Sequence, residues 1–166
     1  MFGEGSQGEL GLGYKNAPGK KVIDVKRPRL NTILEEMDVV QIAVGGMHCA
    51  ALTKDNKIYT WGVNDQGALG RHTQQEGKMK TLDPEADDDD SDSDDEFQED
   101  SGLNPAEAEP RQVDPRHFPE DTRFASLFAG DSTTFALTTT GLVYGWGTFR
   151  VSLPPIAILS QNSNVV

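Results

Sequence analysis

One cysteine, Cys49, in a chain of 166 residues excludes an internal disulfide and points to a reducing compartment. No apolar run approaches the roughly 18 residues that a membrane-crossing helix needs, so no membrane partner is expected. The start, Met1-Phe2-Gly3-Glu4-Gly5, has neither a basic stretch nor an apolar one behind it, so no secretory signal is read there. Aromatic residues are scarce at 7%, yet a hydrophobic share of 36% suffices for one domain. Basic residues are outnumbered, 15 against 27 acidic, which argues against a grip on nucleic acid by bulk charge. Also missing are the marks of bond chemistry. His48, His72, His117 and Cys49 lack metal-ligand spacing, and no phosphate-binding G-x-x-x-x-G-K-[ST] string occurs. Gly3-Glu4-Gly5-Ser6-Gln7-Gly8 spells G-x-G-x-x-G, but no strand precedes it and Glu9-Leu10-Gly11-Leu12-Gly13 is too glycine-rich to open a helix over a pyrophosphate. Neither an enzyme, a metal nor a cofactor is expected.

The negative charge is concentrated. Residues 83–109 hold 14 of the 27 acidic residues and none of the 15 basic ones, which leaves the rest of the chain nearly neutral. Such a stretch buries too little apolar surface to fold and reads as a solvated, disordered insertion. It also offers two phosphorylation candidates: Ser91 and Ser93 each precede an acidic residue by three positions, Asp94 and Glu96, the pattern an acid-directed kinase reads. Attraction of basic surfaces is the other functional reading of the tract.

What the chain has in quantity is glycine, 17 residues, with nine prolines, and a repeat. Phe2-Gly3-x-Gly5-x-x-Gly8-x-Leu10-Gly11 recurs as Trp61-Gly62-x-Asn64-x-x-Gly67-x-Leu69-Gly70, 59 residues on. Gly45 through Thr53, then Ile58 through Gly62, recur 85 residues on as Gly130 through Thr138 and Val143 through Gly147. The second offset exceeds the first by about the length of the acidic stretch, which therefore reads as an insertion into a unit of about 59 residues. Within a unit, Val39–Val44, His48–Thr53 and Lys57–Trp61 are short β-rich runs separated by Gly45-Gly46 and by the turn Lys54-Asp55-Asn56. The later copy repeats them as Phe124–Ala129, Thr134–Thr138 and Leu142–Trp146, with Gly141 in the turn. Three or four strands per repeat predict an all-β fold, a partial β-propeller of about two and a half blades. The expected divisions are 2–82 for the first repeats, 83–109 for the insertion, 110–150 for the third repeat, and 151–166 for a tail without a legible blade pattern.

The strings GGMHCAALT, KIYTWGVNDQGALGR and AGDSTTFALTTTGLVYGWGTFR resemble the repeats of the regulator of chromosome condensation family, chromatin-associated guanine nucleotide exchange factors for the small GTPase Ran. The resemblance covers about 2–82 and 111–150, and an acidic insertion after GALGR is similar to fungal members. It implies a propeller of seven blades, one face binding Ran and the opposite face engaging histones and nucleosomes. Carried over by position, it implies Asp131 and His48 on the Ran face, and Phe149 and Arg150 at the root of a β-wedge that follows the WGTFR string. It further implies a nuclear protein of nucleocytoplasmic transport and mitosis, here in a truncated form of weak or no activity by itself, cytoplasmic if import signals are lacking. The alternative is a propeller-repeat scaffold that binds proteins without exchange activity. The residues alone leave other roles open: Asp131 as a turn carboxylate capping nearby N–H groups, His48 as a loop histidine bonded within its own blade, Cys49 as a small buried strand residue. Thr133 stands where the family has His and Ser6 where it has Asp, and VSLPPIAILSQNSNVV after Arg150 matches nothing in the family.

Overall fold

The β-rich runs fold into antiparallel strands at the same offset that relates their sequences. The computed structural model describes residues 1–13, 24–73 and 104–148, and the backbone of 157–160. A short pair, β1 (Gly3–Glu4) and β2 (Asp24–Val25), precedes α1 (Thr32–Glu35), a single turn whose cap Asn31 accepts from the N–H groups of Ile33 and Leu34. One four-stranded sheet then runs β3 (Val39–Val44), β4 (His48–Thr53), β5 (Ile58–Gly62) and β6 (Arg111–Gln112), each paired with the next. A second sheet runs β7 (Phe124–Ala129), β8 (Thr133–Thr138), β9 (Leu142–Gly147) and β10 (Ala157–Ser160) in the same order.

The two sheets are copies in detail. Register slips between Val39 and Gln41 in one and between Phe124 and Ser126 in the other. Each β-hairpin closes with a threonine hydroxyl accepting a backbone N–H, Thr53 from Lys57 at 3.0 Å and Thr138 from Leu142 at 2.9 Å. They pack face to face: Ala43, Ala50, Leu52 and Ile58 of the first sheet meet Leu127, Ala136, Tyr144 and Trp146 of the second. The other face of the first sheet, with Cys49, Ala51 and Trp61, is covered by Leu34 and by partly buried Met1 and Met37. Every residue of β4 is therefore buried, whereas β8 alternates between buried and half-buried positions. Each tryptophan lies against a glycine of the preceding repeat. A Cβ on Gly11 would fall 2.7 Å from Trp61 Nε1, and one on Gly70 would fall 2.9 Å from Trp146 Nε1.

Three features depart from the expected divisions. The end of the acidic stretch is folded: α2 (Pro105–Ala108) is capped by Asn104 and buries Ala108, so the insertion does not run undivided to 109. Proline in the first turn and an Asn cap start this helix, signals that the aspartate run outweighs in a composition count. Next, β6 pairs with β5, so residues 111–112 complete the first sheet and do not open the third repeat. Last, within the segment read as an unrelated tail, β10 pairs with β9 from Ala157↔Gly145 to Ser160↔Leu142, the place that β6 takes on β5. An outer strand needs only backbone groups to continue a ladder, so neither addition carries a side-chain pattern that announces it.

Candidate functional site

Alternation of strand direction gathers the loops of successive repeats at one end of the sheets. Gly45–Met47 joins β3 to β4, residues 63–70 follow β5, and Gly130–Ser132 joins β7 to β8. None of these three loops holds a lysine or arginine, and Asp65 and Asp131 are both exposed there beside half-exposed Met47. The opposite end, by contrast, exposes Lys54 and Lys57 in the β4–β5 turn and Arg123 just before β7, among carboxylates. The gathered loops can therefore meet a basic, partly apolar protein surface.

Asp131 sits at the centre of this end and is held from two sides. Its carbonyl accepts the N–H of Gly46 at 3.2 Å, and its carboxylate lies so close to Gly46 that a Cβ there would overlap Oδ1. The neighbouring Ser132 donates its hydroxyl to Asp65 Oδ2 at 2.8 Å. Three loops from two repeats thus meet around Asp131 and Ser132, and the Asp131 carboxylate remains open to solvent.

His48 departs from its sequence-based placement. It is the first residue of β4, only 2% exposed, and its ring bonds the neighbouring sheet and not its own blade: Nε2 lies 2.8 Å from Thr134 Oγ1. Thr134 Oγ1 also lies 2.9 Å from the Ala68 carbonyl, so His48, Thr134 and Ala68 form one bonded chain across the sheet boundary. Burial pushes its pKa below 6.5, against the pull of the Asp131 and Thr133 carbonyls and the Asp131 charge, so the ring is neutral at pH 7. A sealed ring cannot touch a partner directly; it ties the strands beneath Asp131. Cys49 is buried beside it, and burial, with the Glu9 charge, pushes its thiol up to about 12, a value of an inert strand residue. The wedge residues Phe149 and Arg150 and the serines Ser91 and Ser93 lie outside the described residues. Among the described residues no group of three His, Cys, Asp or Glu side chains could hold a metal, and no helix is long and apolar enough to cross a membrane.

Sequence reasoning passed over Asp65, Ser132 and Thr134. The repeat offsets carried the signal: Asp65 lies in the NDQGALG copy of the string around Ser6, and Ser132 and Thr134 lie in the copy of Met47 and Cys49. Only the fold shows that the 63–70 loop of one repeat reaches the β7–β8 loop of the next.

Four-stranded sheets stacked face to face, with the loops of successive repeats gathered at one end, define a partial β-propeller. The chain belongs to the regulator of chromosome condensation (RCC1) repeat family, whose models match residues 1–52, and 39–68 with 124–149. It is 42% identical over 154 residues to guanine nucleotide exchange factor SRM1 of Saccharomyces cerevisiae, covering 90% of this chain and 30% of that protein. Among solved structures it is similar to yeast RCC1 (Prp20) bound to Kap60, with a TM-score of 0.68 and 36% identity over 94% of this chain and 29% of the other. It is similar also to Prp20p of Saccharomyces cerevisiae, described with its binding to Gsp1p and histones, with a TM-score of 0.66 and 36% identity over 93% of this chain and 29% of the other. The chain thus spans about 30% of the length of the curated relatives it matches.

Proposed function

We propose that the chain is part of a guanine nucleotide exchange factor for a Ran-type small GTPase and that the end carrying Asp131 is where the GTPase docks. The observation that carries this reading is the exposed Asp131 carboxylate among three loops that hold no lysine or arginine. The name of SRM1 as an exchange factor, and the description of Prp20p as binding Gsp1p and histones, support it. An exchange factor makes no covalent bond. It binds the GTPase with an open nucleotide site more tightly than the loaded form, and the linkage is reciprocal. Each tenfold of acceleration requires about 1.4 kcal/mol of that preference. Asp131 contributes by drawing on a lysine or arginine that otherwise holds phosphate. Phe149 and Arg150 begin the segment that displaces a phosphate-binding loop. Exposed basic residues of the opposite end, Lys54, Lys57 and Arg123, are the surface we propose for histones, in keeping with the nuclear reading.

Capture of GTPase on immobilised chain tests the reading. Nucleotide-free Ran-type GTPase is expected to be retained over the GDP-loaded form, and Asp131→Ala is expected to reduce the preference about tenfold, as for loss of one charge-assisted hydrogen bond. Release of a fluorescent nucleotide by these 166 residues is expected to be slower than by a full propeller. Equal retention of both nucleotide states would support a scaffold instead.

A further inference from the structure

Asp65 and Ser132 meet across the boundary between two sheets, and the same boundary one repeat earlier lacks the contact. Offset 59 makes Ser6 the counterpart of Asp65, and offset 85 makes Met47 the counterpart of Ser132. A thioether offers no hydroxyl to hold, and Ser6 instead donates to Glu4 Oε1 of its own strand at 3.3 Å. The bond between the 63–70 loop and the following β-hairpin therefore exists where the exposed Asp131 lies, and not at its counterpart.

The loop that supplies Asp65 is a firm anchor. Asn64 Oδ1 accepts the N–H of Leu69 at 3.0 Å, its amide donates to the Arg71 carbonyl and to Thr73 Oγ1 at 2.9 Å each, and the N–H of Ala68 closes onto the Asp65 carbonyl at 2.9 Å. Ser132 is tied down as well: its carbonyl accepts the N–H of Thr148 at 2.9 Å. We infer that Asp65 is a positioning residue that, through Ser132, holds the Asp131 carboxylate in its binding orientation before the partner arrives. Ordering the loop in advance removes that part of the entropy cost from association. The inference rests on the GTPase reading, and it assigns Asp65 a role as hydrogen-bond acceptor, not as a charge met by the partner.

That distinction is measurable in the full chain. Asp65→Ala removes the acceptor and the charge, whereas Asp65→Asn removes the charge and keeps an oxygen for Ser132. Affinity for nucleotide-free GTPase is expected to fall about tenfold in Asp65→Ala and to stay within about twofold in Asp65→Asn. Adding Ser132→Ala to Asp65→Ala should change little further. Amide exchange gives a second reading without the GTPase. The Gly46 N–H, which bonds the Asp131 carbonyl, should lose protection in Asp65→Ala, while the Phe124 N–H at the opposite end, bonded to Asn56 Oδ1, keeps it. Equal loss of affinity in the Ala and Asn variants would overturn the inference, since the carboxylate itself would then be the contact. Unchanged Gly46 exchange in Asp65→Ala would overturn it whatever the GTPase does. A latch that responds as expected in a chain that binds no GTPase would remove the partner reading, and the positioning role with it.

Discussion

Asp131 can stay exposed because the residues beneath it are neutral and bonded. His48 is bonded to Thr134 and Thr134 to the Ala68 carbonyl, a chain that crosses from β4 to β8 to the 63–70 loop. Because burial lowers the pKa of His48 in the folded protein, the unfolded chain takes up its proton first as pH falls. The sign follows: this contribution to stability is complete above 6.5 and is lost as pH drops from there towards the lowered folded value. The Asp131 charge, which faces the ring, works against the shift without reversing it. Asp114, which Arg116 holds down to about 2, and Asp55, lowered by Lys57, add their own losses only below the ordinary carboxylate value of 3.8. Urea unfolding at a series of pH values should show a midpoint that declines below 6.5, and His48→Gln should flatten that limb. A second contrast concerns the tryptophans. Trp61 Nε1 donates to the Glu9 carbonyl at 2.9 Å, whereas Trp146 Nε1 is left buried with no hydrogen-bond partner among the described residues. Trp→Phe leaves a similar void at both places, but only at 61 does it break a bond. Trp61→Phe should therefore cost about 1 kcal/mol more than Trp146→Phe, measured by denaturant unfolding.

Between residues and the whole molecule, the decisive element is the one-turn helix α2. Asn104 donates to the Thr73 carbonyl at 2.7 Å, so both ends of the intervening stretch are pinned to one spot. Arg71 is fastened there too: it donates to the carbonyls of Ala106 and Thr60 and to Thr60 Oγ1, and burial lowers its pKa to about 10 while leaving it charged at pH 7. Two deletions that differ by six residues should consequently part company. Removing 83–103 keeps the anchor and shortens the 30-residue connection to nine, a gain of ~1 kcal/mol in loop closure. Removing 83–109 takes Asn104, α2 and the Ala106 carbonyl, exposes the Gly8 region that Ala108 covers, and should cost about 2–3 kcal/mol as Arg71 loses one of its three acceptors. Thermal unfolding of the two variants checks the pair. The same element shows where sequence reasoning stops. β3, β4, β5, β7, β8 and β9 were legible within a residue because they are β-rich runs bounded by turn residues that recur 85 positions apart. β6 and β10 were not, since an outer strand joins through its backbone. α2 was hidden by averaging its PAEAE turn with an aspartate run. At the site, Asp131 was singled out only through the family resemblance, with a turn carboxylate left open beside it. The burial of His48 was not legible, because the face of β4 that meets the second sheet is defined only when the two sheets stack.

At the scale of the molecule, stability depends on how each sheet is sealed to the next, and apolar contact is only part of it. Two amide side chains act as substitutes for strand neighbours across the gap. Gln41 on β3 donates to the Leu127 carbonyl at 2.8 Å and accepts its N–H at 2.9 Å; Asn56, in the β4–β5 turn, donates to the Thr122 carbonyl and accepts the Phe124 N–H, both at 2.8 Å. The first clamp lies along the inner strands and the second at the end away from Asp131, next to the edge-to-face cluster of Phe118, Phe124 and Tyr144. Backbone groups at a boundary between stacked sheets are poorly reached by water, so losing an amide leaves two of them unpaired. Gln41→Ala should lower the unfolding free energy by about 1–3 kcal/mol. The damage should be directional. Amides of β7 would lose protection in hydrogen exchange, while those of β4, buried on both faces, would follow only global unfolding. Because the sheets are successive copies that touch only their neighbours, loosening one boundary need not loosen the next. An equal loss of protection in β4 and β7 would instead mean that the two sheets and the β1–β2 pair unfold as one cooperative unit.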